Sequence, residues 1–430
     1  MLTLYRLHLL IPLLVIADAL VAWRHDEFGR FETVAFVAGC TWLTVGLAVL
    51  LVGALRHRLA PVLPRIVLAT YTSVFTVTAT DVLAARFFPD PQDRRVYLRI
   101  PNQRFTRHAD PATMPGIDAT TVFTVNRLGL RGPDNNPAPG SYRVITVGGS
   151  ATECLNLDDT QEWPRLVMDG LNRDHATPVT WLANAGQSGD TAVHHLFLLK
   201  SLPVLDEADA WIIMPGINDF QDSLARGGRP TQDALTRVAE RRVHGVGMRL
   251  SKARIILPLR RVLGLGPEPA TGEVVGDDWY LRNRGQRSRL PTLPLPDLSL
   301  ALAEYRERLL SIGAECQARQ KRCVFLTQPT MWRPDLPPEV ASLMWFGWIG
   351  PRSRPQGYAS LAELASAMAR YNGVLLQACR QMSAECLDLA ESIPKDTSAM
   401  FDDCHFNANG ARLVADVIVR YLRARAPFVH

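Results

Sequence analysis

Four short stretches of the sequence carry residue types that could together hydrolyse an ester. They are Val147 to Ser150, Asn184 to Asp190, Pro215 to Asp219 and Asp402 to His405. A serine hydroxyl becomes a nucleophile when a histidine takes its proton and a carboxylate orients that histidine. Each stretch alone is a weak signal, because glycine, serine, asparagine and aspartate are also the usual residues of turns.

Ser150 lies where a short apolar run ends and a helix would begin. Gly148 and Gly149 let the chain turn sharply off a strand, which would place the backbone N–H of Ser150 near the positive end of the helix. The stretch lacks the Gly-Lys-Ser/Thr of a phosphate-binding loop. It also lacks the glycine that an α/β-hydrolase elbow has two residues after the serine, where this chain has Thr152.

His405 follows Asp402 by three residues. On one short loop this spacing can place a carboxylate against Nδ1 of the imidazole and leave Nε2 free to accept the serine proton. The same spacing favours Asp402 over Asp403. Gly189 could offer a backbone N–H, and Asn218 a side-chain amide, to an oxyanion, although both residues also suit ordinary turns.

Strand-like and helix-like patterns alternate around these stretches. Strands are predicted at residues 142–147, 180–183, 208–214, 323–327 and 386–389, and helices at 162–172, 191–199, 298–319, 361–382 and 408–423. This alternation predicts a three-layer α/β/α sandwich with a mostly parallel five-stranded sheet. Three of the four stretches then end strands of the sheet, and the fourth follows the last strand, so all could meet at one edge.

The four stretches, taken in order, resemble the SGNH hydrolase superfamily, also called GDSL lipases and esterases. That family has Gly-Asp-Ser, a turn with a glycine, Gly-x-Asn-Asp and Asp-x-x-His before a C-terminal helix. The resemblance covers about residues 120–425 and includes the stretch 126–132, which looks like a lead-in of many bacterial members. Gly149 departs from the motif, since the family has an aspartate there that is not one of its catalytic groups.

The resemblance implies a role for each matching residue. Ser150 would be the nucleophile, with Asp402 and His405 completing the catalytic triad. The oxyanion hole would be formed by the backbone N–H of Ser150 together with Gly189 and Asn218. No cofactor is expected, because this chemistry needs none.

The first 88 residues are mostly apolar and predict a membrane segment of about three helices. Residues 33–55 carry no charge over 23 positions, enough for a helix to cross the roughly 30 Å hydrocarbon core. Residues 7–23 and 66–85 are weaker candidates. The first could instead be a signal peptide that is cleaved near Ala17-Asp18-Ala19.

The charges of the loops predict the orientation of this segment. Residues 56–65 contain three arginines and no acid, which places that loop in the cytoplasm. A third span would then carry the rest of the chain to the periplasmic or extracytoplasmic side of a bacterial inner membrane.

The remaining chain is predicted to contain one large domain. Residues 89–140 are interpreted as a linker and lead-in, and residues 141–430 as an SGNH-like hydrolase domain. An insertion is expected at about 221–295, which has six prolines, nine glycines and no clear strand. Within it, the basic and apolar stretch Met248 to Leu263 could lie on a membrane surface, cover a site, or form a solvated helix.

The seven cysteines show no C-x-x-C pair and no zinc spacing, so no metal is expected. Cys154 follows Ser150 by one helical turn, and Cys404 precedes His405. A disulfide between them would be allowed outside the cytoplasm, although small buried thiols are the simpler interpretation. The other four fall as Cys316/Cys323 and Cys379/Cys386, and each pair could bond locally or stay free.

The predicted function is an esterase or deacylase that acts on a small-molecule or glycan ester, such as the O-acyl groups of a cell-envelope glycan. An O-acyltransferase with the same triad, or a non-catalytic membrane assembly protein that keeps the fold, are alternatives. Nucleic acid is not an expected partner, because a net charge of +5 without a focused basic face is too weak. An aromatic group could line a substrate groove or simply pack: Trp332, Trp345, Phe346 and Trp348.

Overall fold

A computed structural model describes residues 103–133, 138–173, 178–229 and 277–429, with Arg99 and scattered positions between residues 9 and 76. The chain divides into two compact units. One comprises residues 1–93 and 240–273, and the other comprises residues 94–239 and 274–430, which include the predicted hydrolase domain.

Most of each predicted membrane span, at residues 7–23, 33–55 and 66–85, lies outside the described residues. The stretch 248–263 lies wholly outside them. Among the helices that the structure describes, none is both long enough and apolar enough for a membrane crossing.

A five-stranded parallel sheet forms the centre of the second unit, as the sequence predicts. Nine strands are present among the described residues: β1 Gln103–His108, β2 Thr120–Val125, β3 Tyr142–Gly148, β4 Thr180–Asn184, β5 Ala210–Met214, β6 Arg322–Leu326, β7 Trp348–Ile349, β8 Gly357–Tyr358 and β9 Glu385–Leu387. The central sheet has the order β4-β3-β5-β6-β9, and every neighbouring pair in it is parallel. All residues of β4 and β5 are buried, as expected for strands covered on both faces.

Helices connect these strands and form the outer layers. The described helices are α1 Ser150–Glu153, α2 Trp163–Leu171, α3 Ala192–Ser201, α4 Pro203–Asp206, α5 Ile217–Ala225, α6 Asp277–Arg289, α7 Ser299–Ala318, α8 Pro338–Ala341, α9 Leu361–Met382, α10 Leu389–Ser392 and α11 Ala408–Arg423. Helices α2 and α11 pack together, and α7 packs against both α3 and α9. The α/β class and the parallel five-stranded sheet are therefore confirmed.

The order of the strands in the sheet reverses next to the serine, while the strands stay parallel. From β3 the chain passes to β4 on one side, and then to β5 on the other side of β3. Parallel sheets bind ligands at such a point, where loops diverge at the carboxyl ends of two strands. Ser150 follows β3 directly, and α5 begins three residues after β5.

The residues predicted as a lead-in form a substantial part of the folded unit. Strands β1 and β2 pair as an antiparallel hairpin. The hairpin is joined to the central sheet through Arg131, whose backbone pairs with both Val125 and Asn184. Sequence reasoning missed β1, because its alternating buried and exposed residues include two arginines and a histidine.

Part of the predicted insertion is regular structure. Helix α5 extends to Ala225, and α6 occupies residues 277–289, whereas residues 230–276 lie outside the described part of the chain. The sequence predicted no clear strand in this stretch, because it is rich in proline and glycine. In agreement, its described residues contribute no strand to the central sheet. Its Gly228 has a φ of +80° at the turn that follows α5.

Candidate active site

Ser150 opens α1 at the point where β3 ends. Gly149 precedes it in an extended conformation, and Cys154 ends the helix with a left-handed φ of 53°. The short helix lies against the next turn of the sheet, since a side chain on Gly186 would collide with the backbone of Glu153. The serine is therefore presented on a rigid corner between β3 and β4.

Asp402 and His405 lie on a tight turn before α11. The backbone N–H of Phe401 donates to the carbonyl of His405 at 3.1 Å, which closes the turn. Asn407 then caps α11 by accepting from the N–H of Gly410 at 2.9 Å. The closed turn and the cap together fix the direction in which both side chains leave the backbone.

The structure brings these three side chains into one hydrogen-bonded chain. His405 Nε2 lies 2.7 Å from the hydroxyl of Ser150. His405 Nδ1 lies 2.7 Å from Oδ2 and 2.9 Å from Oδ1 of Asp402. This is the geometry in which an imidazole can take a proton from a serine while a carboxylate supports the resulting charge.

The environment of the pair favours a charged carboxylate. Burial opposes the charge of Asp402, but the positive charge of His405 and the hydrogen bonds to the carboxylate outweigh it, and its pKa lies below the ordinary value. Burial lowers the pKa of His405 and is the largest single effect, but the charge of Asp402, its hydrogen bond and the nearby Cys404 together outweigh burial, and the pKa lies well above the ordinary value.

The two other predicted oxyanion donors lie on neighbouring turns. Asn218 is the second residue of α5, and its Nδ2 donates to the carbonyl of Asp190 at 2.9 Å. Because an amide nitrogen carries two hydrogens, a second one remains for a bound ligand. Gly189 precedes Asp190, has a φ of +84°, and faces open space where a side chain would stand.

The glycine at position 149 has a structural reason. A Cβ on Gly149 would collide with Nδ2 of Asn218, well inside van der Waals contact. Asn218 therefore occupies the space next to the residue that precedes Ser150. The aspartate that SGNH hydrolases have at this position would collide with the side chain of Asn218 in its present position.

Glu153 connects the turn at residues 184–190 to the helix of Ser150, and the sequence did not reveal this role. Its carboxylate accepts from the backbone N–H of Ser188 at 2.7 Å, from the hydroxyl of Ser188, and from Arg99. Arg99 also donates to the carbonyl of Gly186 at 2.6 Å. Burial, together with the nearby charge of Glu153, raises the pKa of Asp190 to about 8.

The aromatic group lies beside Asp402 and Asp403 and is buried, in agreement with the packing interpretation. Two of its indoles also donate hydrogen bonds. Trp345 Nε1 donates to Asp402 at 2.9 Å, and Trp332 Nε1 donates to Asp403 at 2.6 Å. Asp403 is thus a buried acceptor next to Asp402 and is not hydrogen-bonded to His405, as its position in the sequence suggested.

The proposed bridge between Cys154 and Cys404 is wrong. Both thiols are free and buried, and the bonds that form are Cys316–Cys323 and Cys379–Cys386. The left-handed turn at Cys154 directs its sulfur back to the carbonyl of Ala151 at 3.4 Å. Although the side chains of Ser150 and His405 are in contact, those of Cys154 and Cys404 are not, because they leave the backbone in other directions.

One cluster among the described residues is compact enough to be considered for a metal ion. The possible ligand atoms of Asp402, Cys404 and His405 all lie within 4.8 Å of one another. The carboxylate and Nδ1 are already hydrogen-bonded to each other, and burial raises the pKa of the Cys404 thiol to about 11, so a thiolate is disfavoured. We assign no metal to this cluster.

Comparison with known proteins gives one family match. The model of the GDSL-like lipase/acylhydrolase family matches residues 145–413, which is more than half of the chain. No curated protein sequence matches the chain.

Solved structures with a similar fold share little sequence with the chain. The acetyl xylan esterase AlAXEase is 10% identical, with a TM-score of 0.36 over 65% of this chain and 99% of its own. Axe2, an acetylxylan esterase from Geobacillus stearothermophilus, is 15% identical, with a TM-score of 0.35 over 65% and 94%. TesA is 14% identical, with a TM-score of 0.36 over 67% and 99%.

Proposed function

The chain belongs to the GDSL-like lipase/acylhydrolase family and is a serine hydrolase of ester bonds, and we propose that Ser150, His405 and Asp402 carry its reaction. The observation that supports this assignment is the continuous hydrogen-bonded chain from the hydroxyl of Ser150 through both nitrogens of His405 to Asp402. A non-catalytic protein would have no need to keep all three groups in register.

The first half of the reaction transfers the acyl group to the enzyme. Ser150 Oγ attacks the ester carbonyl and forms a new C–O bond, while His405 Nε2 takes the hydroxyl proton. The carbonyl oxygen becomes an oxyanion, which the N–H groups of Ser150 and Gly189 and the amide of Asn218 stabilise. The intermediate then expels the alcohol, which leaves with the proton from His405.

The second half releases the acid. A water molecule gives a proton to His405 Nε2 and attacks the acyl carbon, again through an oxyanion. The bond between that carbon and Ser150 Oγ breaks, and the serine recovers its proton from the imidazolium. Throughout both halves Asp402 remains ionised and supports the imidazolium charge.

The proposed substrate is an O-acylated glycan or a small ester of similar size. A partly exposed indole near the site supports this proposal, because flat rings suit the apolar faces of sugars. Trp279 is partly exposed, and its ring lies 4.6 Å from that of Trp345, which contacts His405. Arg352 is exposed and lies 5.0 Å from the rings of both Trp279 and Trp348, where it could bind polar groups of a glycan.

The proposed location of the catalytic domain is the periplasmic or extracytoplasmic side of a bacterial inner membrane. The charges of the loop at residues 56–65 support this orientation. Two disulfide bonds within the domain support it independently, because disulfides persist in oxidising compartments and are rare in the cytosol.

The decisive test of the activity uses the full chain with 4-nitrophenyl acetate and a fluorophosphonate probe. Wild type should hydrolyse the ester and be labelled at Ser150. Ser150→Ala should lose several orders of magnitude in kcat and all labelling, because the triad acts as a unit. Ser311→Ala, at an exposed helical serine, is the matched control and should behave as wild type. Labelling or turnover that survives Ser150→Ala contradicts the assignment.

The location has its own test. Alkaline phosphatase fused after residue 430 should be active, and a reporter that fluoresces only in the cytoplasm should be dark. The reverse pattern contradicts the proposed orientation. Acetate release from O-acetylated glycans, compared with release from short and long aryl esters, then tests the substrate class.

A further inference from the structure

Trp345 contacts both members of the acid–base pair from another part of the chain. Its indole Nε1 donates to Oδ2 of Asp402 at 2.9 Å, and the same oxygen lies 2.7 Å from Nδ1 of His405. The indole and imidazole planes differ by 8°, and their centroids lie 6.2 Å apart. The indole therefore shares one carboxylate oxygen with the imidazole.

The other donors to Asp402 are local. The backbone N–H groups of Cys404 and His405 donate to Oδ1 at 3.0 Å and 2.9 Å, and the remaining partner is the imidazole itself. Among the described residues, Trp345 is the one donor to this carboxylate from outside residues 402–405. The turn can therefore form without the indole, but Oδ2 then has only the imidazole as a partner.

Asp403 holds the backbone that carries the indole. Its Oδ2 accepts from the N–H of Trp345 at 2.8 Å and from the N–H of Phe346 at 3.2 Å, while Oδ1 accepts from Trp332 at 2.6 Å. Hydrogen bonds to a buried carboxylate are among the stronger ones in proteins. Asp403 thus fixes the indole of Trp345 before any substrate arrives, while the indole itself contacts Asp402.

We propose that Trp345 is a positioning residue, which holds the carboxylate of Asp402 against His405 and sets how strongly that carboxylate attracts the imidazolium. The inference rests on the proposed function of the triad. A donor to Oδ2 disperses part of the carboxylate charge. Without it, Asp402 would attract the imidazolium more strongly and could rotate away from the geometry that Ser150 requires.

The charged and titratable groups around the pair come from several elements, and a substitution of Trp345 changes none of them. They are Asp403 and Cys404 on the same turn, Cys154 after α1, and Tyr280, Arg284 and Arg287 on α6. A change in the pH profile that a second tryptophan variant does not share can therefore be assigned to the lost contacts of this indole, of which the N–H to Asp402 is the polar one.

The test is Trp345→Phe in the full chain, with Trp332→Phe as the matched control. Both substitutions remove a buried indole donor to a carboxylate, but only the first carboxylate contacts His405. Trp345→Phe should reduce kcat for 4-nitrophenyl acetate by roughly 10- to 100-fold. It should also move the acid limb of kcat/KM to higher pH by roughly one unit. Trp332→Phe should leave the acid limb in place.

A second measurement does not depend on turnover. The rate at which the fluorophosphonate labels Ser150 follows the neutral fraction of His405, so its acid limb should move by the same amount in Trp345→Phe. If that variant unfolds below the assay temperature, Trp345→Tyr keeps a ring without the Nε1 donor and takes its place.

The outcomes separate this inference from the proposed function. An active wild type with an unshifted acid limb in the Trp345 variant overturns the inference alone. Equal shifts in both tryptophan variants also overturn it, because packing would then explain them. A wild type that neither hydrolyses the ester nor is labelled at Ser150 overturns the proposed function and this inference with it.

Discussion

The two sides of the candidate site are held by different kinds of interaction. The Ser150 side, residues 148–154 with the turn 184–190, is held by buried ion pairs and glycine contacts. On the His405 side, residues 401–406 with the segment 344–348, the carboxylates of Asp402 and Asp403 are held by aromatic rings and neutral donors, while the cation of Arg287 binds only the backbone carbonyl of Phe346. Among the described residues, the only ion-pair partner of Asp402 is His405 itself.

Arg131 shows how the Ser150 side is built. Its guanidinium is fully buried and donates to the carbonyls of Glu153, Cys154 and Leu157 at 2.6 to 3.0 Å. It also pairs with Asp159 and Glu162 at 3.1 and 3.3 Å. One buried cation therefore binds the chain that leaves the nucleophile's helix through all three of its nitrogens.

The difference follows from what each side must do. A serine hydroxyl is neutral and needs a fixed position, so paired charges can hold its helix without affecting its chemistry. Asp402 must keep its charge available to His405, and a cation against it would cancel the attraction that supports the imidazolium. An indole N–H is a dipole, and it fixes the carboxylate while leaving most of that charge in place.

The largest expected effect separates the two neighbouring aspartates of the His405 side. Asp402→Asn should reduce kcat roughly 10⁴-fold, because an amide neither orients the imidazole correctly nor supports its charge. Asp403→Asn should cost far less, since its carboxylate contacts Trp332 and the backbone of residues 345 and 346. Steady-state hydrolysis of 4-nitrophenyl acetate measures both, and equal losses would contradict the assignment of Asp402.

The next largest effect is a loss in the free energy of unfolding when the Ser150 side loses its buried cation. Arg131→Met leaves three carbonyls and two carboxylates without their buried cation, at a cost of roughly 3–5 kcal/mol in the free energy of unfolding. The control is Arg165→Met, which removes an exposed pair with Asp169 and should cost under about 1 kcal/mol. Urea titration of both variants measures the contrast, which fails if the two losses are equal.

Removal of an oxyanion donor should follow in size. Asn218→Ala is expected to lower kcat by about 10²–10³-fold, since the amide can stabilise charge that develops only in the transition state. Asn409→Ala, at an exposed asparagine that donates to Ser398, should leave kcat unchanged. A normal kcat in Asn218→Ala would return this residue to a purely structural role next to Asp190.

A smaller effect tests the space beside the nucleophile. Gly149→Ala suits the backbone, whose φ is −84°, but its methyl group would displace the amide of Asn218. We expect a roughly tenfold loss of kcat, part of the cost of losing the donor. Gly373→Ala, inside α9 with open space around it, is the control and should not affect kcat. An unchanged kcat in Gly149→Ala would show that displacement of the Asn218 amide does not affect catalysis.

The last prediction concerns pH and requires no substitution. His405 must be neutral to accept the serine proton, and the charge of Asp402 raises its pKa well above 6.5 despite burial. Activity should therefore fall as the pH drops through that raised pKa, with half-maximal kcat/KM on the acid side above pH 6.5. A profile that stays flat to below pH 6.5 would show that Asp402 and the other groups around His405 do not together outweigh burial.

Local patterns predicted the five central strands and five of the helices, whereas the roles of the site residues followed from the resemblance of four stretches to one family. Short apolar runs gave the five central strands, and the predicted helix 361–382 has the observed bounds. The reason is that each of these signals lies within one turn or one strand. The spacing of Asp402 and His405 allowed them to meet on one short loop, but their catalytic roles were implied only by the family resemblance.

Long-range partners could not be predicted in this way. Trp345 reaches Asp402 across 57 residues, and Arg131 reaches Glu153 across 22. No periodicity marks either residue, because each is recognised only by what surrounds it once the sheet has formed. The alternative bond between Cys154 and Cys404 does not form, and the simpler interpretation of two buried thiols is confirmed, since proximity of chain segments does not fix the direction of a side chain.

The two disulfides have a consequence for how the chain acquires its covalent structure. Each joins residues that are 7 apart, across one helix-to-strand turn. Closing so short a loop costs little entropy and takes well under a microsecond. The nearest competing pairing, Cys386 with Cys404, would have to close a longer loop, because these residues are 18 apart. Oxidation of a newly made chain is therefore expected to favour the native pairs by proximity, before the finished domain selects them.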